Sequence, residues 1–174
     1  GGLEVQILDA PALQMGWRTL DAEVRRRAPA YVGLGEEAVS CVEGLRLARL
    51  ARSLGARVIA GGCFFGHLAS QVLATGLVDV VVHGEGEWTL VELVEALREG
   101  ERSLRLVPGI SFRDGEETIT TPPRPLIANL DDLPFPAYDL LPVDAYGARS
   151  VNHPRLAAIE LSRGCFGSCD FCIL

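Results

Sequence analysis

Three cysteines stand close together in Ser162-Arg163-Gly164-Cys165-Phe166-Gly167-Ser168-Cys169-Asp170-Phe171-Cys172, at C-x-x-x-C-x-x-C spacing. Thiolates at short spacings bind soft metals, and cysteine sulfurs hold iron-sulfur clusters. Three ligands leave one iron of a 4Fe-4S cube without a protein donor, and an open coordination site is what a catalytic cluster needs. Two other readings compete. Structural zinc takes four protein ligands, and no Cys or His follows Cys172 in the chain. A disulfide with one thiol to spare would suit a secreted framework, but there is neither a paired pattern nor a secretory signal. The apolar run Leu156-Ala157-Ala158-Ile159-Glu160-Leu161 reads as a strand entering a glycine-bearing loop, a junction able to gather three thiolates, and it favours the cluster.

This spacing, with aromatic Phe171 just before the third cysteine, resembles the signature loop of the radical S-adenosylmethionine (radical SAM) enzymes. In that family the open iron chelates the amino and carboxylate groups of SAM, and an electron from the cluster releases a deoxyadenosyl radical that abstracts hydrogen from substrate. The resemblance implies Cys165, Cys169 and Cys172 as cluster ligands and Phe171 as the residue packed beside the adenine.

The elements upstream must position that loop. Leu3-Glu4-Val5-Gln6-Ile7-Leu8 alternates as a strand does and runs into the turn Asp9-Ala10-Pro11. A short helix is expected around 20–28, with Leu20, Val24 and Ala28 on one face. Ala30-Tyr31-Val32-Gly33-Leu34 is the next strand. A helix over 38–54 presents Leu47, Leu50, Ala51 and Leu54, with Gly55 as its C-cap. Arg57-Val58-Ile59-Ala60 is a strand running into Gly61-Gly62, a helix near 67–75 follows, and Val78-Asp79-Val80-Val81-Val82 is another strand. After the loop His83-Gly84-Glu85-Gly86-Glu87 a last helix carries Leu90, Leu93, Val94 and Leu97.

Strands alternating with helices, with β-branched runs lacking polar alternation, specify an α/β fold: a Rossmann-like, doubly wound, mostly parallel sheet covered on both faces. Ligands of such sheets bind over the carboxyl ends of the strands. Three glycine-bearing loops fall there, at 33–37, 61–66 and 84–87, and glycine lets backbone approach a bulky ligand. No G-x-G-x-x-G opens a helix and no G-K-[ST] is present, so neither a dinucleotide nor a phosphate loop is indicated. Glu85 and Glu87 would repel a phosphate, and a neutral, extended ligand suits these loops better.

Ala60-Gly61-Gly62, with Val78 through Glu87-Trp88-Thr89, resembles the cobalamin-binding domain that precedes the barrel in one large class of radical SAM proteins. The resemblance implies cobalamin contacts from Gly35, Glu36, Gly61, Gly62, Cys63, Gly84, Glu85, Gly86 and Glu87. Gly35 stands where related domains often carry a serine. The family domain begins with one more strand and helix before the equivalent of Leu3, and some cobalamin proteins carry the histidine that replaces the lower cobalt ligand there. His67 and His83, near the carboxyl edge, read as hydrogen-bonding or exposed residues, and His153 has less to recommend it. Cys41 and Cys63 read as buried small hydrophobes.

After Gly100 the pattern changes. Gly109 to Arg113, Asp114-Gly115 and Glu117 to Thr121 read as a β-hairpin with a D-G turn. From Pro122 to Pro154 proline and loop residues dominate, giving a stiff strap whose Phe, Tyr and Leu content favours packing on a surface. Hairpin and strap also resemble the connector of the same family. The expected organisation is 1–100 cobalamin-binding domain, 101–154 hairpin and connector, and 155–174 the start of the radical SAM barrel.

Composition sets the remaining bounds. The 174 residues suffice for a domain with a real core, 48% are hydrophobic, and no apolar run reaches membrane-span length. A net charge of −7 argues against a nucleic-acid partner, and Arg46, Arg49 and Arg52 read as a solvated helix face. Free thiols beside a thiolate cluster indicate a reducing cytoplasm. The Gly1-Gly2 start and the end two residues past Cys172 read as a fragment of a longer enzyme.

The parent is therefore expected to be a cobalamin-dependent radical SAM enzyme, with methyl transfer to an unactivated carbon leading and a radical cyclisation or oxidation next. Its cofactors would be a 4Fe-4S cluster, SAM and cobalamin. Its partners would be a small-molecule substrate held mainly by the rest of the barrel and a reductant such as ferredoxin or flavodoxin, and the fragment alone should not catalyse. The rivals are a stand-alone cobalamin-binding module and a radical SAM enzyme whose Rossmann-like domain no longer binds cobalamin.

Overall fold

The computed structural model describes residues 3–35, 39–146, 159–160, 162–167, 169–170 and 172. It divides into two compact units, Gly1–Arg26 with Asn129–Ser168, and Arg27–Ala128 with Cys169–Leu174.

The larger unit is an α/β layer. Strands β1 (Tyr31–Gly35), β2 (Arg57–Gly61) and β3 (Val80–Val82) are parallel and lie in sequence order. Helix α2 (Cys41–Ser53) links β1 to β2, and α3 (Gly62–His67) with α4 (Ala69–Ala74) links β2 to β3. Helix α5 (Glu87–Glu99) and a 3-10 stretch lead to β4 (Ile110–Asp114) and β5 (Glu117–Thr120), which join the same sheet antiparallel. The hairpin thus extends the sheet, and its two-residue loop starts with Gly115 at φ +62°.

Each face of the sheet has its own core, which is why the central strands are apolar without alternation. Val58, Ala60 and Val81 pack on one face with Ala48, Ala51, Phe65, Val72 and Leu73 from α2, α3 and α4. Ile59, Val80, Val82, Ile110 and Phe112 pack on the other with Leu93 and Ala96 of α5. The period of two along each strand assigns alternate residues to opposite faces.

Several local expectations shift. The buried stripe of α2 is Gly44, Ala48 and Ala51, with Leu47, Leu50 and Leu54 only half-buried. Small residues let the helix axis approach the sheet, and the leucines flank the contact. In α5 the buried residues are Thr89, Leu93 and Ala96, while Leu90 is 45% exposed. The segment after β2 is helical from Gly62, so 61–66 is not a loop. Strand β3 is shorter than 78–82 because the Asp79 carboxylate accepts the Val58 amide at 2.7 Å, while Asp79 N–H donates to the Val58 carbonyl at 2.9 Å. Asp79 also takes the Arg52 guanidinium at 2.8 Å, so Arg52 is an ion-pair residue of this edge and not merely solvated.

Helix α1 (Trp17–Arg27), which belongs to the smaller unit up to Arg26, buries Leu20 and Val24. Ala28 turns to φ +43° and ends the helical path instead of extending its face. Residues 3–8 form no strand ladder among the described residues, and Leu3, Val5 and Ile7 are 49%, 59% and 42% exposed. Alternation alone does not make a strand; a paired edge does. The strap contains three single 3-10 turns, Leu130–Asp132, Tyr138–Leu140 and Val143–Ala145, in place of one extended path. Tyr146 Oη donates to Asp9 Oδ2 at 2.7 Å, tying the strap to the opening turn, whereas Phe135 is 96% exposed. The strand expected over 156–161 lies largely outside the described residues, as does His153.

Candidate functional site

Parallel pairing brings the glycine-bearing ends of β1, β2 and β3 to one edge. Gly35 is the register partner of Gly61, and a Cβ at Gly61 would sit 3.7 Å from the Val82 carbonyl oxygen. A Cβ at Gly35 or Gly84 would meet nothing within 4 Å. Gly62 and Gly84 have φ of +86° and +63°, which an L side chain rarely adopts. Gly86 packs differently, its Cβ position lying 3.6 Å from Val82 Cγ1. Gly35, Gly61, Gly62, Cys63, Gly84, Gly86 and Glu87 therefore share the carboxyl edge, while Glu36 and Phe171 lie outside the described residues. Cys63 is exposed, against the expectation of a buried thiol, because α3 begins immediately after β2 and Cys63 falls in its first turn. Cys41 is half-buried.

His83, directly after β3, is a hydrogen-bonded residue as its sequence context suggested. Its Nε2 lies 2.7 Å from Ser111 Oγ, and Ser111 Oγ lies 2.8 Å from Thr120 Oγ1. The Gly66 backbone also hydrogen-bonds the ring, and the tautomer sets which partner donates in the Nε2–Ser111 contact. Burial holds the imidazole pKa below its ordinary value, opposed by the Gly66 bond. His67 is exposed.

Glu85 is half-buried, and its Oε2 accepts the Ile127 amide at 2.5 Å. Glu87 is exposed as the first residue of α5, where a carboxylate complements the helix dipole.

Sequence reading missed the apolar character of this edge. Val39, in the turn before α2, and Val42, in its first turn, are 91% and 70% exposed, and Trp88 and Val91, in the first turns of α5, are 42% and 54% exposed. Helices that follow parallel strands begin at the strands' carboxyl edge, so the exposed residues after a glycine loop are the signal that could have found them. Such an edge suits a large, flat, largely neutral ligand better than a phosphate. A groove of about 550 Å³ lies at the opposite edge, among Arg52, Asp79, Arg105 and Asp114. There Arg52 pairs with Asp79 and Arg105 with Asp114.

The three loop cysteines are free and exposed. In the smaller unit Gly167 N–H donates to Cys165 Sγ at 3.2 Å, and Gly164 turns at φ +93°. In the larger unit Cys172 N–H donates to the Cys169 carbonyl at 2.9 Å, a tight turn. Among the described residues no three His, Cys, Asp or Glu side chains are drawn together. Accessible thiols, one of them already accepting a backbone N–H, fit the donor set of an iron-sulfur cluster. No helix among the described residues is long and apolar enough to cross a membrane.

No family model matches the chain. It is 33% identical to an uncharacterized methyltransferase of Pyrococcus horikoshii over 97% of this chain and 37% of that protein. It is 37% identical to the cobalamin-dependent radical SAM methyltransferase TokK of Streptomyces tokunonensis, over 55% of this chain and 14% of TokK. Among solved structures, the radical S-adenosylmethionine methyltransferase TsrM from Kitasatospora setae, with cobalamin and a 4Fe-4S cluster bound, superposes with a TM-score of 0.59 at 26% identity. That match covers 74% of this chain and 25% of TsrM. The chain thus spans little more than a third of the first relative's length, and less of the others.

Proposed function

We propose that this chain, which belongs to the cobalamin-binding radical SAM proteins, supplies the cobalamin-holding domain, the connector and the cluster-bearing loop of a methyltransferase. The observation that carries the reading is the carboxyl edge of the sheet. There Gly35 and Gly84 leave open space at the backbone and Gly62 is exposed at φ +86°, and Val39, Val42 and Trp88 on the same edge are exposed as well. The protein residues do the holding: glycine backbone admits a bulky macrocycle, the apolar side chains cover its face, and Glu87 stays on the helix start. His83 Nε2 is engaged by Ser111 at 2.7 Å, so its role in this reading is to brace the loop.

Cys165, Cys169 and Cys172 would hold the cluster, and Phe171 would pack beside the adenine of SAM. When bound, the cluster with SAM supplies the radical, and cobalamin supplies a methyl carrier. The small-molecule substrate, the electron donor, of the ferredoxin or flavodoxin kind, and a cytoplasmic setting belong to this proposal for the whole enzyme.

The test is anaerobic reconstitution of a protein spanning the relatives' full length with iron, sulfide and cobalamin, read by visible absorption and metal analysis. About four irons and one cobalt per chain are expected. Replacing Cys165, Cys169 or Cys172 by alanine should remove iron and keep cobalt. Iron without cobalt would show that the Rossmann-like layer serves another ligand, and no iron in that protein would end the radical reading.

A further inference from the structure

Within the larger unit the first stretch of the strap is tied down by polar contacts. Gly109 N–H donates to the Pro122 carbonyl at 2.8 Å. Arg124 donates from Nε to Thr89 Oγ1 at 2.7 Å and from Nη2 to Glu92 Oε2 at 2.5 Å, and Ile127 N–H donates to Glu85 Oε2 at 2.5 Å. Arg124 is only 16% exposed in its side chain and Thr89 is fully buried, so this guanidinium is no loose surface charge. Pro122, Pro123 and Pro125 lack an amide hydrogen, which leaves Ile127 among the few backbone donors of this stretch. Leu126 is 77% exposed, so it adds no apolar anchor. Hydrogen bonds with one ionised partner are the stronger kind.

We infer that Glu85 and Arg124 are positioning residues that lock residues 122–127 onto the loop and first turns of α5, making the cofactor edge and the start of the connector one rigid piece. The functional part rests on the reading of this edge as the cobalamin face. Glu85 then contacts the connector in place of the cofactor. It thereby fixes the path of residues 122–127 against the cofactor edge within the larger unit.

The test is hydrogen exchange of the Ile127 amide in the full 174-residue chain, together with cobalamin titration followed by visible absorption. Glu85→Ala should speed that exchange roughly tenfold or more, with cobalamin affinity within about threefold of wild type. Glu85→Gln, which keeps an acceptor oxygen, should restore most of the protection. Arg124→Gln should loosen the same segment without touching Glu85, which keeps the test decisive if one variant folds poorly. Unchanged Ile127 exchange in Glu85→Ala, or lost cobalamin binding with protection intact, would overturn the clamp. If the wild-type chain takes up no cobalamin, the cofactor reading alone fails, and the clamp is decided by the exchange result.

Discussion

His83 and Ser111 meet between β3 and β4, with Nε2 2.7 Å from Oγ, and His83 N–H continues the ladder to the Gly109 carbonyl at 2.8 Å. One residue thus joins the parallel half of the sheet to the antiparallel hairpin through both its backbone and its ring. Burial disfavours the charged ring, so the unfolded chain binds a proton more readily than the folded one. The stabilisation from neutral His83 is complete above the unfolded pKa of about 6.5 and is lost as pH falls from there toward the depressed folded value. The urea midpoint should drop between pH 7.5 and 5.5, and His83→Asn should flatten that slope.

Asp79 ties the start of β3 to the start of β2 through the Val58 amide and to the end of α2 through Arg52. Asp79→Ala leaves that amide without its carboxylate partner and should cost roughly 1–3 kcal/mol in urea unfolding. Asp79→Asn, which keeps an acceptor oxygen, should cost less.

Gly109 has φ +77°, and a Cβ there would lie 3.4 Å from Arg124 Cβ and 3.5 Å from both the His83 carbonyl and Thr89 Oγ1. Gly115 has φ +62° but open space around it. Gly115→Ala should cost about 1 kcal/mol from backbone strain, and Gly109→Ala distinctly more because packing strain adds to it. Thermal unfolding of the two variants side by side measures the difference.

Gly61 separates folding from binding. Its φ of −160° is ordinary extended backbone, and its Cβ contacts would be ordinary ones. Gly61→Ala should therefore stay within about 0.5 kcal/mol of wild-type stability. If the edge holds cobalamin by close backbone approach, the same change should weaken cobalamin binding at least about tenfold in a visible-absorption titration.

Several features were legible in the residues themselves. The β-branched cores of β2 and β3, Gly55 beyond α2, the Asp114-Gly115 hairpin and the cysteine spacing all follow from local stereochemistry and period. These determined an α/β layer with glycine loops on one edge and a thiolate motif. What they could not determine depended on partners distant in sequence. Residues 3–8 have the alternation of a strand but no ladder among the described residues, since pairing needs a neighbouring edge. Glu85 read as a ligand-loop acid, yet its carboxylate is taken by an amide 42 positions away. His83 read as a hydrogen-bonding or exposed residue, but its partner Ser111 lies 28 positions away and is supplied only by the hairpin. Local period fixes which elements form, because it depends on neighbours in the chain. The tertiary fold alone decided which polar groups meet, because a buried donor or acceptor must find a partner wherever the packing brings one.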